Sequence, residues 1–215
     1  MPHRDRLWWA LAAVGAAAAF VVVALVSTRV GWGVAMDGAT GSWVLNQLPE
    51  SFRLALSEAA RPLVIIVLAP VVAALALLAL VRRGWRRALA GVFIPVAATV
   101  AALGLRGRDV FGIGGDAFPS NHAAAGLGLL VGLAVVWPRP VTRRGLIALG
   151  AAGFLVCLGN VSWHAHQPRD VLGSALLVAS VAAATFALLG GDSPNLARTA
   201  KTSEPRSVDV PARSS

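Results

Sequence analysis

FPSNHAAAGLGLLVGLAVVW, residues 118–137, decides how this chain is read. Pro119 and Ser120 interrupt what comes before, and from Ala123 to Trp137 no side chain is charged. Ser120 is a natural N-cap, because its hydroxyl accepts a hydrogen bond from a first-turn N–H that has no partner inside the helix. The run His122–Trp137 therefore predicts an apolar helix that carries a histidine in its first turn. The first backbone N–H groups of such a helix point outward with the positive end of its dipole, which suits an anion.

Working outward, five more apolar runs flank this one: Leu7–Ser27, Pro62–Val81, Ala88–Leu105, Gly145–Gly159 and Asp170–Leu189. A transmembrane helix needs about 20 predominantly apolar residues. The fourth and fifth runs in chain order are short and draw on flanking residues. The chain is 57% hydrophobic and 13% charged, whereas a soluble domain is about 45–50% apolar and about 25% charged. The expected fold is all-α, an integral membrane bundle of about six transmembrane helices over residues 1–190. The first run exceeds the roughly 7–15 apolar residues of a signal peptide and five spans follow, so it reads as an uncleaved anchor. Residues 191–215, rich in Ser, Pro, Thr and Arg, cannot bury a core and are expected to be a disordered tail.

The formal net charge is +9. On a soluble protein that balance suggests nucleic acid; here the cations sit between apolar runs and act as topology signals. With both termini cytoplasmic, 13 of the 19 cationic residues lie inside, among them Arg82, Arg83, Arg86, Arg87, Arg139, Arg143 and Arg144. Arg29, Arg53, Arg61, Arg106, Arg108 and Arg169 then face out. The chain is expected in the cell membrane as a multi-pass protein. Cys157 is the only cysteine, so no internal disulfide forms and redox compartment is not legible.

Between the first two spans, the apolar spacing from Trp43 to Leu56 fits one helix lying in the membrane interface. An ordinary extracellular loop packed on the bundle fits equally well. Gly128-x-x-x-Gly132 would let the fourth span approach a neighbour closely.

The chemistry-bearing residues fall at the outward ends of the later spans. In WHAHQPRD, residues 163–170, Pro168 suits the first position of a helix. Asp170 then lies in the first turn, able to reach back to His166. A carboxylate bonded to one imidazole nitrogen fixes the tautomer and aims the other nitrogen as a nucleophile or base. The bland readings are Asp170 as a cap with His166 idle, and Arg106 and Arg108 as a headgroup-level pair snorkelling from a helix end. A third reading makes His122, His164 and His166 zinc ligands, which would need a fourth group and outer partners.

In order, these pieces resemble the three motifs of the type 2 phosphatidic acid phosphatase superfamily: Lys-x6-Arg-Pro, Pro-Ser-Gly-His, and Ser-Arg-x5-His-x3-Asp. The resemblance spans about residues 88–175. Pro119, Ser120 and His122 match the second motif, with Asn121 in place of glycine. His166 and Asp170 match the third, where Gly159 and Asn160 stand in place of Ser and Arg. Counting back from Arg108 puts Ala101 where the family has lysine, and Asp109 replaces the motif's proline. Arg61-Pro62 reproduces an Arg-Pro pair a whole hairpin too early and is read as coincidence.

The resemblance implies that His166 attacks phosphorus, Asp170 orients it and His122 protonates the leaving oxygen. It also implies that Arg106, Arg108, Ser120, Asn121 and Asn160 bind the substrate phosphate, with no metal or other cofactor. The implied activity is a membrane lipid phosphatase acting on a phosphomonoester or pyrophosphate of an isoprenoid or glycerolipid carrier at the outer face. The implied partners are the lipid phosphate and membrane lipids. The missing cations motivate a second reading: the same fold without catalysis, binding or moving a lipid phosphate or supporting a partner. Arg53, Arg169 and His164 are possible replacements for the lost charge.

Overall fold

The computed structural model describes residues 3–112, 118–162 and 166–189, and every regular element among them is a helix. In chain order these are α1 (His3–Arg29), α2 (Gly31–Gln47), α3 (Glu50–Glu58), a π-helical turn (Ala59–Leu63), α4 (Val64–Val81), α5 (Trp85–Gly107), α6 (Asn121–Val136), α7 (Arg143–Val161) and α8 (Pro168–Leu189). His164, most of the glycine-rich stretch after Phe111, and the tail 191–215 lie outside the described residues.

Five stretches are long and apolar enough to cross a membrane: Arg4–Arg29, Glu50–Val81, Trp85–Gly107, Arg143–Val161 and Pro168–Leu189. The remaining run, α6, is only 16 residues, about 24 Å at 1.5 Å per residue against a hydrocarbon core of about 30 Å. Its position compensates for its length. It is packed by α4, α5, α7 and α8, and most of its residues from Ala123 to Val136 are buried. A helix surrounded by protein need not match the lipid thickness.

Glycine is what lets α5 and α6 come so close. A Cβ on Gly132 would stand 2.5 Å from the Gly91 carbonyl oxygen, and one on Gly128 would stand 2.8 Å from Pro95 Cα. The Gly128-x-x-x-Gly132 pattern thus serves a seam within this chain. On the far flank, α1 packs along α8, with Trp9 against Phe186 at a centroid distance of 5.0 Å.

Two expectations change between the first spans. The region is helical, not a loop, but the single helix expected over Trp43–Leu56 is two. α2 ends at Gln47, Leu48 is extended, and Pro49 is the N-cap of α3. Proline lacks the N–H to continue α2 and pushes the residue before it out of the helical region. Pro62 has a different outcome. The expected span begins there, whereas the structure runs helical from Glu50 to Val81, 32 residues. The turn around Pro62 widens, so that the Val64 N–H bonds to the carbonyl of Ala59, five residues back. A π turn of this kind relieves the clash of the proline ring with the carbonyl four residues earlier.

Candidate active site

The N-terminus of α6 is fixed by its neighbours. Phe118 is buried against Phe20 of α1 at 5.1 Å and Phe111 at 5.5 Å. Two residues on, Ser120 is fully buried. Its N–H donates to the Asp170 carbonyl at 3.1 Å, and its own carbonyl accepts from Ser174 Oγ at 2.8 Å. Its hydroxyl accepts from the Ala123 N–H at 3.3 Å, the expected N-cap, and donates to Asn160 Oδ1 at 3.4 Å. The start of α6 is therefore bolted to the starts of α8 and the end of α7.

At the head of α8, Asp170 is fully buried and His166 is 8% exposed. Asp170 Oδ2 accepts from the Gln167 N–H at 2.8 Å and stands 3.5 Å from His166 Nδ1. At that distance the two groups face each other without hydrogen-bond geometry, and His166 Nδ1 remains unpartnered among the described residues. Asp170 therefore both caps its helix and faces His166. Arg169 is held by α2: Asp37 accepts from its N–H at 2.8 Å and from its guanidinium at 2.9 Å. Burial pushes the Asp37 carboxyl above the ordinary carboxylate range, and the bonds and charge of Arg169 pull it back.

The candidate residues divide by placement. His122, His166, Asp170, Ser120, Asn121, Asn160 and Arg106 gather at one end of the bundle. Arg106 NH1 donates to Asn121 Oδ1 at 3.0 Å, the residue before His122 in the first turn of α6. Arg108 caps the end of α5, is exposed, and makes no hydrogen bond to another described candidate. Asn160 is fully buried, with its amide donating to the Val156 carbonyl at 2.8 Å. Asn160 and Ser120 thus spend their polar atoms on holding helix ends together. The zinc reading depends on His164, outside the described residues.

Three residues escaped the sequence reading. Asp37 and Ser174 act across the fold, the latter donating to the carbonyls of both Ser120 and Asp170. Arg61, set aside as coincidence, sits in the π turn packed on α6, with its Nε buried and unpartnered. A signal for it existed: Arg53, Ser57 and Arg61 recur at four-residue spacing, one face of a helix, and Ser57 is 3% exposed.

Buried polar atoms in native proteins are almost always hydrogen-bonded. The exceptions among the described residues are Arg53 Nε, Arg61 Nε, His122 Nδ1, His166 Nδ1, Arg169 Nε and Asp170 Oδ1. All belong to this end of the bundle. The fold defines the class: an all-helical protein with several helices apolar and long enough to span a membrane. Comparison with known protein families, curated proteins and solved structures found no match.

Proposed function

We propose that this protein is a divergent member of the type 2 phosphatidic acid phosphatase superfamily: a multi-pass membrane lipid phosphatase with both termini cytoplasmic and its site facing outward. The observation that carries the reading is the joining of the α8 start, with its His166–Asp170 pair, to the Ser120-capped start of α6 that bears His122, beside Arg106. In this reading they serve as nucleophile, proton donor, N–H groups and cation for an anionic headgroup at the bilayer surface.

The chemistry runs in two displacements. His166 Nε2, the nitrogen turned away from Asp170, attacks phosphorus as the bond to the leaving oxygen breaks. His122 supplies the proton that the departing lipid alkoxide or phosphate requires. Water then attacks the phosphohistidine, His122 takes a proton back, and orthophosphate leaves. Asp170 holds the orientation of His166 throughout, and Arg106 with the first N–H groups of α6 bears the developing charge. Substrates are phosphomonoesters or pyrophosphates of isoprenoid or glycerolipid carriers.

A second reading, a lipid-phosphate binder without turnover, rests on Ala101 and on Asn160, whose buried amide replaces a motif cation. The discriminating experiment is trapping acid-labile phosphate on the protein during turnover of a labelled lipid phosphate. His166→Ala abolishes both trapping and release. His122→Ala is severe for a lipid alkoxide leaving group and mild for an activated aryl phosphate. Activity that persists in His166→Ala refutes the phosphohistidine; vanadate binding without hydrolysis of any lipid phosphate selects the second reading.

A further inference from the structure

We infer that Arg61 is a phosphate-binding residue of this site, presented by the π turn, and that Arg53 stands two turns before it on the same face to receive the anionic headgroup. The inference rests on the phosphate-handling reading above and supplies the charge that Ala101 and Asn160 lack.

Other cations at this end are committed or turned away. Arg169 is paired with Asp37 and lies 3.5 Å from Asp170. Arg29 donates to the Phe111 carbonyl from an exposed position, and Arg108 is exposed. Arg53 and Arg61 differ. Each is half-buried with its Nε buried and unpartnered, and no carboxylate pairs with either among the described residues. Arg106, beside the start of α6, donates to Asn121 and not to a carboxylate. A guanidinium brought into a half-buried place beside other cations is costly unless an anion joins it. A phosphoryl group at the start of α6 meets that need, and guanidinium donors fit two of its oxygens at once.

The backbone accounts for how Arg61 gets there. The Gly159 position on α7 admits the π turn so closely that a Cβ there would stand 2.3 Å from Ala60 Cβ and 2.5 Å from the Leu56 carbonyl oxygen. Ser162 Oγ, one turn further out on α7, donates to the Arg53 carbonyl at 3.1 Å. Helix α7 therefore grips the segment on both sides of the stripe. The π turn that carries Arg61 and the helix α5 that carries Arg106 are two different elements, both packed on α6.

The test is orthovanadate binding to the purified full-length protein in lipid nanodiscs, by titration calorimetry at several salt concentrations. Arg61→Gln is expected to weaken binding at least about tenfold and to flatten its salt dependence. Arg61→Lys restores charge but not paired donors and recovers part of the affinity. Arg53→Gln weakens binding less, and Arg139→Gln, at the opposite end, leaves it unchanged. Wild-type affinity in a folded Arg61→Gln overturns the inference and leaves the phosphate site standing. Failure of the wild type itself to bind vanadate or orthophosphate overturns both. If Arg61→Gln does not fold, Arg61→Lys decides alone: unchanged affinity overturns the inference, and a severalfold loss supports it.

Discussion

Replacing Gly159 by alanine adds one methyl group where α7 meets the π turn, and the geometry fixes the sign of the result. The new Cβ would stand 2.3 Å from Ala60 Cβ, whereas carbon atoms rest at about 3.5–4.0 Å. The two elements must part by more than about 1 Å, and overpacking of this kind costs about 1–3 kcal/mol. Alanine returns up to about 1 kcal/mol through its better helix propensity. Because the Leu56 carbonyl oxygen is also met, at 2.5 Å, the overpacking cost falls in the upper part of its range, about 2–3 kcal/mol. The net is a destabilisation of about 1–2 kcal/mol, and at about 2–4 °C per kcal/mol for a chain of this size the melting temperature falls roughly 2–8 °C. Gly150 supplies the control. It lies on the same helix with nothing within 4 Å of its Cβ position, so Gly150→Ala stabilises by up to about 1 kcal/mol. Thermal unfolding in nanodiscs reads both variants, and vanadate titration reads the site, where only Gly159→Ala displaces Arg61. Should Gly159→Ala melt at or above the wild type, the close packing is wrong and the placement of Arg61 falls with it.

Topology is checked by single cysteines in a Cys157→Ala background: Val110→Cys labels from outside with an impermeant thiol reagent and Pro138→Cys does not, and the reverse pattern turns the site to the cytoplasm. Asp37→Ala leaves Arg169 only the longer contact with Asp170 at 3.5 Å; breaking a buried pair costs about 3–5 kcal/mol, discounted to roughly 2–3 kcal/mol for that remaining contact and because the Arg169 side chain is 20% exposed. Thermal unfolding reads that loss as a fall of roughly 4–12 °C, and Asp37→Leu combined with Arg169→Leu recovers part of it; an undiminished melting temperature in Asp37→Ala would remove α2 from the support of α8.

Much of this architecture is written locally, and that is why it is legible. A bilayer leaves backbone polar groups no partner but each other, so long apolar runs become helices. Ser120 and Pro168 mark the starts of α6 and α8 because cap chemistry and proline's missing N–H act within a single turn. The Asp37–Arg169 contact joins residues 132 apart in the chain, and no local rule reports it. The same limit explains Asn160. The resemblance to the phosphatase motif implies a phosphate-binding role for it, but its contacts with Ser120 and Val156 depend on how α6 and α7 pack.

Arg61 shows how a local rule misleads when tertiary packing overrides it. Proline ordinarily marks a helix start, so the sequence reading begins the second span at Pro62 and strands Arg61 outside it. In the fold the helix arrives from Glu50 and passes Pro62 by widening one turn, with Gly159 admitting that turn against α7. Arg53 and Arg61 then share a helical face instead of a loop, and the turn that carries the second packs against α6. The signal was the polar spacing Arg53, Ser57, Arg61 in an otherwise apolar stretch. It becomes readable once Pro62 is allowed inside the helix, and that allowance is made by a glycine nearly a hundred residues away.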